Sequence, residues 1–139
     1  MLSQVSRFLR NCKSELDEAA LALPVIMLVS LGLINLSLFG SAAVNAANAA
    51  NFGARMGSVA QTNPMGYASN ATQQKLAALP VGEYTIATGG STSAGGVMWV
   101  TVQYQVPNYF ASLAGLFGVN TPPQLSGTVT QYFRKEGWQ

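Results

Sequence analysis

Histidine is absent, cysteine occurs once, at Cys12, and only five residues are acidic: Glu15, Asp17, Glu18, Glu83 and Glu136. Without histidine the chain lacks the commonest general base and metal ligand, and a single thiol forms no intrachain disulfide. Cys12 follows Leu9-Arg10-Asn11, which is not the small-residue context of a lipoprotein cleavage site, so it reads as a free thiol. Three of the five acids crowd just ahead of an apolar block, a poor setting for a pair of hydrolytic carboxylates. The expectation is a chain that is not an enzyme, with no catalytic residues, no metal site and no cofactor. Charge is scarce altogether: 9% of the 139 residues carry it, and residues 19–54 and 84–133 carry none. A soluble monomer rarely has so little. Such a chain sits in a membrane or buries its surface against copies of itself. The net charge of +2 is scattered, with Arg7, Arg10 and Lys13 near one end and Arg134 and Lys135 near the other, so no nucleic-acid footprint follows.

What the chain does have is one very long apolar run. A bilayer core of about 30 Å needs about 20 apolar residues, and residues 19–39 satisfy that alone. Residues 40–54 are small and mildly polar, rich in the best helix former and free of proline, so the helix is expected to run from Leu16 to about Val59, on the order of 65 Å. Half of it then needs a partner other than lipid. Arg7, Arg10 and Lys13 precede the run and Arg55 is the first basic residue beyond it, which puts the N-terminal side in the cytoplasm. The run is too long, and too closely preceded by acids, for an ordinary cleaved signal. Pro24 falls inside the helix and removes one backbone donor, so a local bend is expected there.

Residues 1–15 form a basic leader or an extension of the helix, residues 16–60 the helix itself, and residues 61–139 a small β-rich domain. Residues 61–67, containing Asn63-Pro64, read as the break after the helix; a short second helix is expected over 70–79, closed by Pro80. The pattern then changes to period 2. In residues 97–106, Met98, Val100, Val102, Tyr104 and Val106 point one way while Trp99, Thr101, Gln103 and Gln105 point the other. Residues 83–88 are the expected partner strand, joined through the glycine-rich loop 89–96. Phe110, Leu113 and Phe117 at i, i+3, i+7 predict a short amphipathic helix or hydrophobic loop, and residues 124–133 return to strand chemistry. The fold class is α+β, a long N-terminal helix packed on an antiparallel sheet of three to four strands. About 60 residues of sheet bury only a marginal core. The helix's outer half, or a neighbouring subunit, has to close it.

Several residues stand out individually. Glu18, at the mouth of the apolar helix, is either a solvated boundary residue or, in a bundle of copies, a desolvated charge that needs a cation; Lys13 or Arg10 of an adjacent copy is the obvious partner. Gly32 and Gly40, with Ser37, Ser41, Ala43, Ala47 and Ala50, would let helix backbones approach closely. Asn45, Asn48 and Asn51 recur at every third residue and read as solvent-facing or as bonds between helices. Arg55 is either a solubilising residue or a pin between helix and sheet domain, with Glu83 as counter-ion. Asn35-Leu-Ser37 and Asn70-Ala-Thr72 match the N-glycosylation pattern, although Asn35 sits in the apolar helix.

Taken in order, these motifs resemble the TadE-like family of pilins and pilus-assembly proteins, relatives of type IV pilins. The family shows a glutamate, a few apolar residues, Leu-Pro and a leucine-rich span, as in Glu18-Ala-Ala-Leu-Ala-Leu-Pro-Val-Ile-Met-Leu28. Members then read Ala-Ala and Gly-Ala-Arg, as in Ala49-Ala-Asn-Phe-Gly-Ala-Arg55, and later Val-Thr-Val-x-Tyr, as in Val100-Thr-Val-Gln-Tyr104. An apolar connector and a Thr-rich strand close the pattern at residues 110–117 and 125–133. One departure has a consequence: prepilins carry a glycine five residues ahead of the glutamate, where this chain has Lys13, and a commonly aromatic position holds Ala19. Lys13 or Arg10 would then replace the new amino terminus that a processed pilin sets beside its neighbour's glutamate. The resemblance implies a structural pilin that inserts in the inner membrane, is extracted by pilus secretion machinery and polymerises with itself into an extracellular helical filament. Glu18, Lys13, Arg10, Pro24, Gly32 and Gly40 would serve self-assembly, and Arg55 and Glu83 the contact between helix and domain. A membrane-anchored minor pilin or assembly component, and a membrane-tethered binding module, are the alternative readings.

Overall fold

The computed structural model describes residues 2–78, 81–116 and 118–137. Helix α1, Leu2–Val59, leads into α2, Pro64–Ala77; strands β1, Glu83–Gly90, and β2, Val97–Pro107, follow; then come α3, Tyr109–Leu116, and strand β3, Gln124–Arg134. The class is the α+β arrangement expected, with three strands in the order β1-β2-β3, each antiparallel to its neighbour. The basic leader is continuous with the helix, so α1 measures about 87 Å rather than about 65 Å. Pro24 lies inside α1 without ending it; the missing N–H leaves the carbonyl of Ala20 without its helical partner.

Alternation on β2 reflects two different environments. Met98, Val100, Val102, Tyr104 and Val106 are buried, while Gln103 and Gln105 are exposed. The register sets Tyr84 and Gly127 on either side of Tyr104, and Ile86 and Val129 on either side of Val102, so one continuous face turns towards α1. Against it α1 presents Ala42, Ala46, Ala49, Ala50 and Ala54, all at 0% exposure. Their spacing of four, three, one and four is a single stripe of a 3.6-residue helix. Alanines there let the helix axis lie close to the sheet, and Phe39 closes one end by packing on the Tyr104 ring at 5.3 Å. The helix's outer half therefore completes the small domain's core. Each fully buried valine or methionine contributes about 1.5–3 kcal/mol.

Helix α2 begins at Pro64, earlier than the break read over 61–67 suggests. Asn63 is its N-cap, with φ 46°, and its side-chain oxygen accepts the Gly66 N–H at 3.1 Å. Proline at the first helical position needs no amide partner, so Asn63-Pro64 starts a helix here instead of merely ending one. Leu79 and Pro80, expected to close it, lie outside the described residues. The face carrying Pro64, Ala68, Ala71, Thr72 and Leu76 packs on α1, and two glycines permit the approach: a Cβ added at Gly53 would fall on the Thr72 hydroxyl and within 2.7 Å of the Ala68 carbonyl, and one at Gly57 within 2.8 Å of the Pro64 carbonyl. α3 also forms, although Phe117, the last residue of its expected apolar face, lies outside the described residues.

Candidate functional site: the outer face of α1

Two hydrogen-bonded clusters, one at each end of β2, hold the domain on α1. At one end Asn35 donates from Nδ2 to Asn108 Oδ1 at 2.6 Å and accepts the Tyr109 N–H at 3.1 Å. Asn108 in turn donates to the Pro122 carbonyl at 2.8 Å and accepts the Phe110 N–H at 3.2 Å. Asn35 is only 6% exposed in the middle of an apolar helix. The amide is tolerated there because its donor and acceptor are both engaged. At the other end the Ser58 carbonyl accepts the Glu136 N–H at 3.0 Å and the Lys135 ammonium at 3.2 Å, and the ammonium also reaches the Glu136 carbonyl at 3.3 Å. Lys135 is likewise 6% exposed. The two anchor points fit the lengths of the elements between them, since 23 helical steps span about 35 Å and the 11 residues of β2 about 36 Å.

These anchors do what Arg55 and Glu83 were expected to do. Glu83 pairs with Gln105 near the Asn108 end of β2, while Arg55 lies three residues from Ser58 at the opposite end. About 30 Å of helix separates Asn35 from Arg55. Among the described residues no ion pair joins Arg55 to Glu83, and both side chains are exposed. Asn35 and Lys135 carry the role instead. Their signals in the sequence are an amide within an aliphatic run and a lysine just after a strand, each open to a commoner reading.

The other assembly candidates lie along α1. Glu18 and Pro24 are exposed at its apolar half, and a Cβ added at Gly32 or Gly40 meets nothing within 4 Å. The close backbone approach within one subunit is therefore made at Gly53 and Gly57, leaving Gly32 and Gly40 open. Arg10 and Lys13 belong to α1, but their side chains fall outside those described. Asn48 and Asn51 are exposed. They share a groove of about 530 Å³ with Phe52, Arg55, Met56, Val59 and Lys75. The Lys75 ammonium stands 5.9 Å over the Phe52 ring, a cation–π arrangement.

Exposed apolar side chains extend along both halves of α1. Leu23, Val25, Ile26, Met27, Val29, Leu33, Ile34 and Leu36 are 49–67% exposed, and on the domain-bearing half Val44 is exposed at 60%, Phe52 at 44%, Met56 at 39% and Val59 at 41%. The stretch Glu18–Val59, 42 residues, is long and apolar enough to cross a membrane. Among the described residues no three metal-ligating side chains come together. Compared with protein-family models, with curated proteins and with solved structures, the chain has no significant match.

Proposed function

We propose that the chain is a structural pilin, inserted in the inner membrane with its N-terminal side in the cytoplasm and extracted by secretion machinery into an extracellular helical filament of identical subunits. The observation that carries this reading is the apolar outer face of α1, which extends past any bilayer onto the half of the helix already backed by its own domain. Lipid covers about 20 residues; Val44, Phe52, Met56 and Val59 need another cover, and helices of further copies supply it. Burial of such surface once the surroundings become water is worth about 25 cal/mol per Å². Gly32 and Gly40, open within the subunit, suit close approach of a neighbouring helix. Glu18 would then leave water in the bundle and pair with a basic residue of another copy, Lys13 or Arg10.

Shearing cells, collecting extracellular material and imaging it by electron microscopy, with mass spectrometry of the subunit's first residues, tests the reading. Filaments built of this chain support it. Retention of all of the protein with the membranes overturns it in favour of an anchored accessory component. Glu18→Ala should lower filament yield severely while leaving membrane insertion intact; normal filaments in that variant would remove the pairing role.

A further inference from the structure

The domain is fastened to α1 inside the stretch that a bilayer has to cover. Between Glu18 and Asn35 there are 17 helical steps, about 25 Å, against a hydrocarbon core of about 30 Å. Asn35 is closed off by Asn108, and Tyr109 at the start of α3 hangs from the same amide. One helical turn further, Phe39 is already packed on Tyr104. With Glu18 at the cytoplasmic boundary, the end of the domain that carries α3 lies at the depth of the opposite leaflet.

The composition and shape of that end suit the depth. No charged residue occurs in residues 84–133, which include α3 and the loop to β3. Tyr109 and Val119 are 50% and 53% exposed there, and tyrosine favours the membrane interface. Beside α3 an apolar groove of about 330 Å³ opens between α1 and the start of β3, lined by Gly32, Asn35, Leu36, Phe39, Leu125 and Ser126. It is continuous with the exposed Leu33 and Leu36 of the spanning face. The geometry points to a lipid-contact surface: before assembly the foot of the domain, comprising α3, the loop after it and the groove at Leu36 and Phe39, is seated in the leaflet on the domain's side, with an acyl chain in the groove. Lipid is the occupant because the groove merges with the face that lipid would cover in the inserted chain and because the free helix below Asn35 is shorter than the hydrocarbon core. The seating rests on the membrane insertion proposed above.

Single cysteines in a Cys12→Ser background test it in the full-length chain. Ser112→Cys reports on α3, Ser126→Cys on the rim of the groove, Val29→Cys on the span and Thr92→Cys on the loop at the far end of the sheet. Each is labelled with an environment-sensitive fluorophore and reconstituted at low protein density in phosphatidylcholine–phosphatidylglycerol vesicles. Labels at 112 and 126 should emit to the blue of the label at 92, be quenched by lipids spin-labelled near the headgroup, and show several-fold weaker quenching by iodide than the label at 92. If 29 is quenched by lipid while 112 and 126 are as open to iodide as 92, insertion stands and the seating is overturned. Shielding of 126 that appears only as protein density rises, without quenching by lipid, assigns the groove to a second copy and likewise overturns it. Loss of lipid quenching at 29 removes the insertion and the seating together.

Discussion

Replacing one glycine of α1 by alanine should have opposite effects at Gly53 and at Gly40. In a helix interior alanine is favoured over glycine by about 1 kcal/mol, so without contacts both substitutions would stabilise. At Gly40 that is the whole effect within the subunit, because the added methyl meets nothing within 4 Å. At Gly53 it collides with the Thr72 hydroxyl and comes within 2.7 Å of the Ala68 carbonyl. The hydroxyl is itself committed to that carbonyl at 2.8 Å, and the carbonyl is backbone, so neither moves unless α2 does. Overpacking of this kind costs about 1–3 kcal/mol or more, and separating the helices also loosens Leu76 and Ala68 in the core. With a net loss of about 1–2 kcal/mol, the midpoint of a domain of about 100 residues falls by about 5–15 °C. Near-ultraviolet circular dichroism of the full chain in detergent follows the packing of Trp99 and Tyr104 without being dominated by the long helix. Gly53→Ala combined with Thr72→Ala should recover part of the loss. A Gly53→Ala chain melting at or above the parent, or Gly40→Ala melting clearly below it, would refute the reasoning. In the proposed filament Gly40→Ala should nevertheless reduce assembly, because its methyl stands where a neighbouring helix would approach.

Asn35→Ala removes the donor to the buried Asn108 Oδ1 and the acceptor of the part-buried Tyr109 N–H and should cost about 1–3 kcal/mol, seen as faster hydrogen exchange at the Tyr109 amide; unchanged exchange would count against the anchor. Asn35→Asp should cost at least as much, since a carboxylate turned to Asn108 Oδ1 sets acceptor against acceptor. Lys135→Met exchanges a buried ammonium for an apolar end of similar length and should change stability by only about 1 kcal/mol in either direction. Lys135→Glu places a carboxylate among the Ser58 and Glu136 carbonyls and should cost about 3 kcal/mol or more, read as a fall in melting temperature.

Elements whose two faces meet different surroundings were legible in the sequence. β2 is the clearest, since its inner residues meet alanines of α1 and its outer glutamines meet water. α1 was legible in type and in its end near Val59; of the two readings of residues 1–15, a leader or an extension of the helix, the structure has the extension, since nothing between the basic residues and Leu16 breaks a helix. α2 was placed too late: Asn63-Pro64 ends one helix and caps the next, and the two uses share one spelling. The anchors were hidden for a different reason. Asn35 fits a glycosylation pattern, and only the fold brings Asn108 to it from 73 positions away. Lys135 follows Arg134, yet Arg134 is exposed and Lys135 buried, a difference set by the close of β3. Gly53 and Gly57, where α2 comes close, carried no signal of that contact, because a sequence states where a backbone is bare and not which partner uses it.

The sorting of residue size around α1 limits what further copies can touch. A soluble protein buries most of its large aliphatic residues, whereas this helix spends its alanines on the domain and turns Leu33, Val44 and Phe52 outward. Ala42, Ala46, Ala49 and Ala50 are already covered and cannot form a small-residue seam between subunits without displacing the sheet. A neighbouring helix in the proposed filament must then pack on bulky residues, with Gly32, Gly40 and Ser41 as its points of close approach. Val44→Asp separates the two faces. Its side chain lies two residues from both Ala42 and Ala46, opposite the stripe they define, and is 60% exposed. The isolated subunit should therefore melt within about 1 kcal/mol of the parent. Filament assembly should fail, because an unpaired carboxylate would be buried between helices at a cost of several kcal/mol. Normal filaments from Val44→Asp, counted in sheared material, would place the neighbouring helices elsewhere on the subunit.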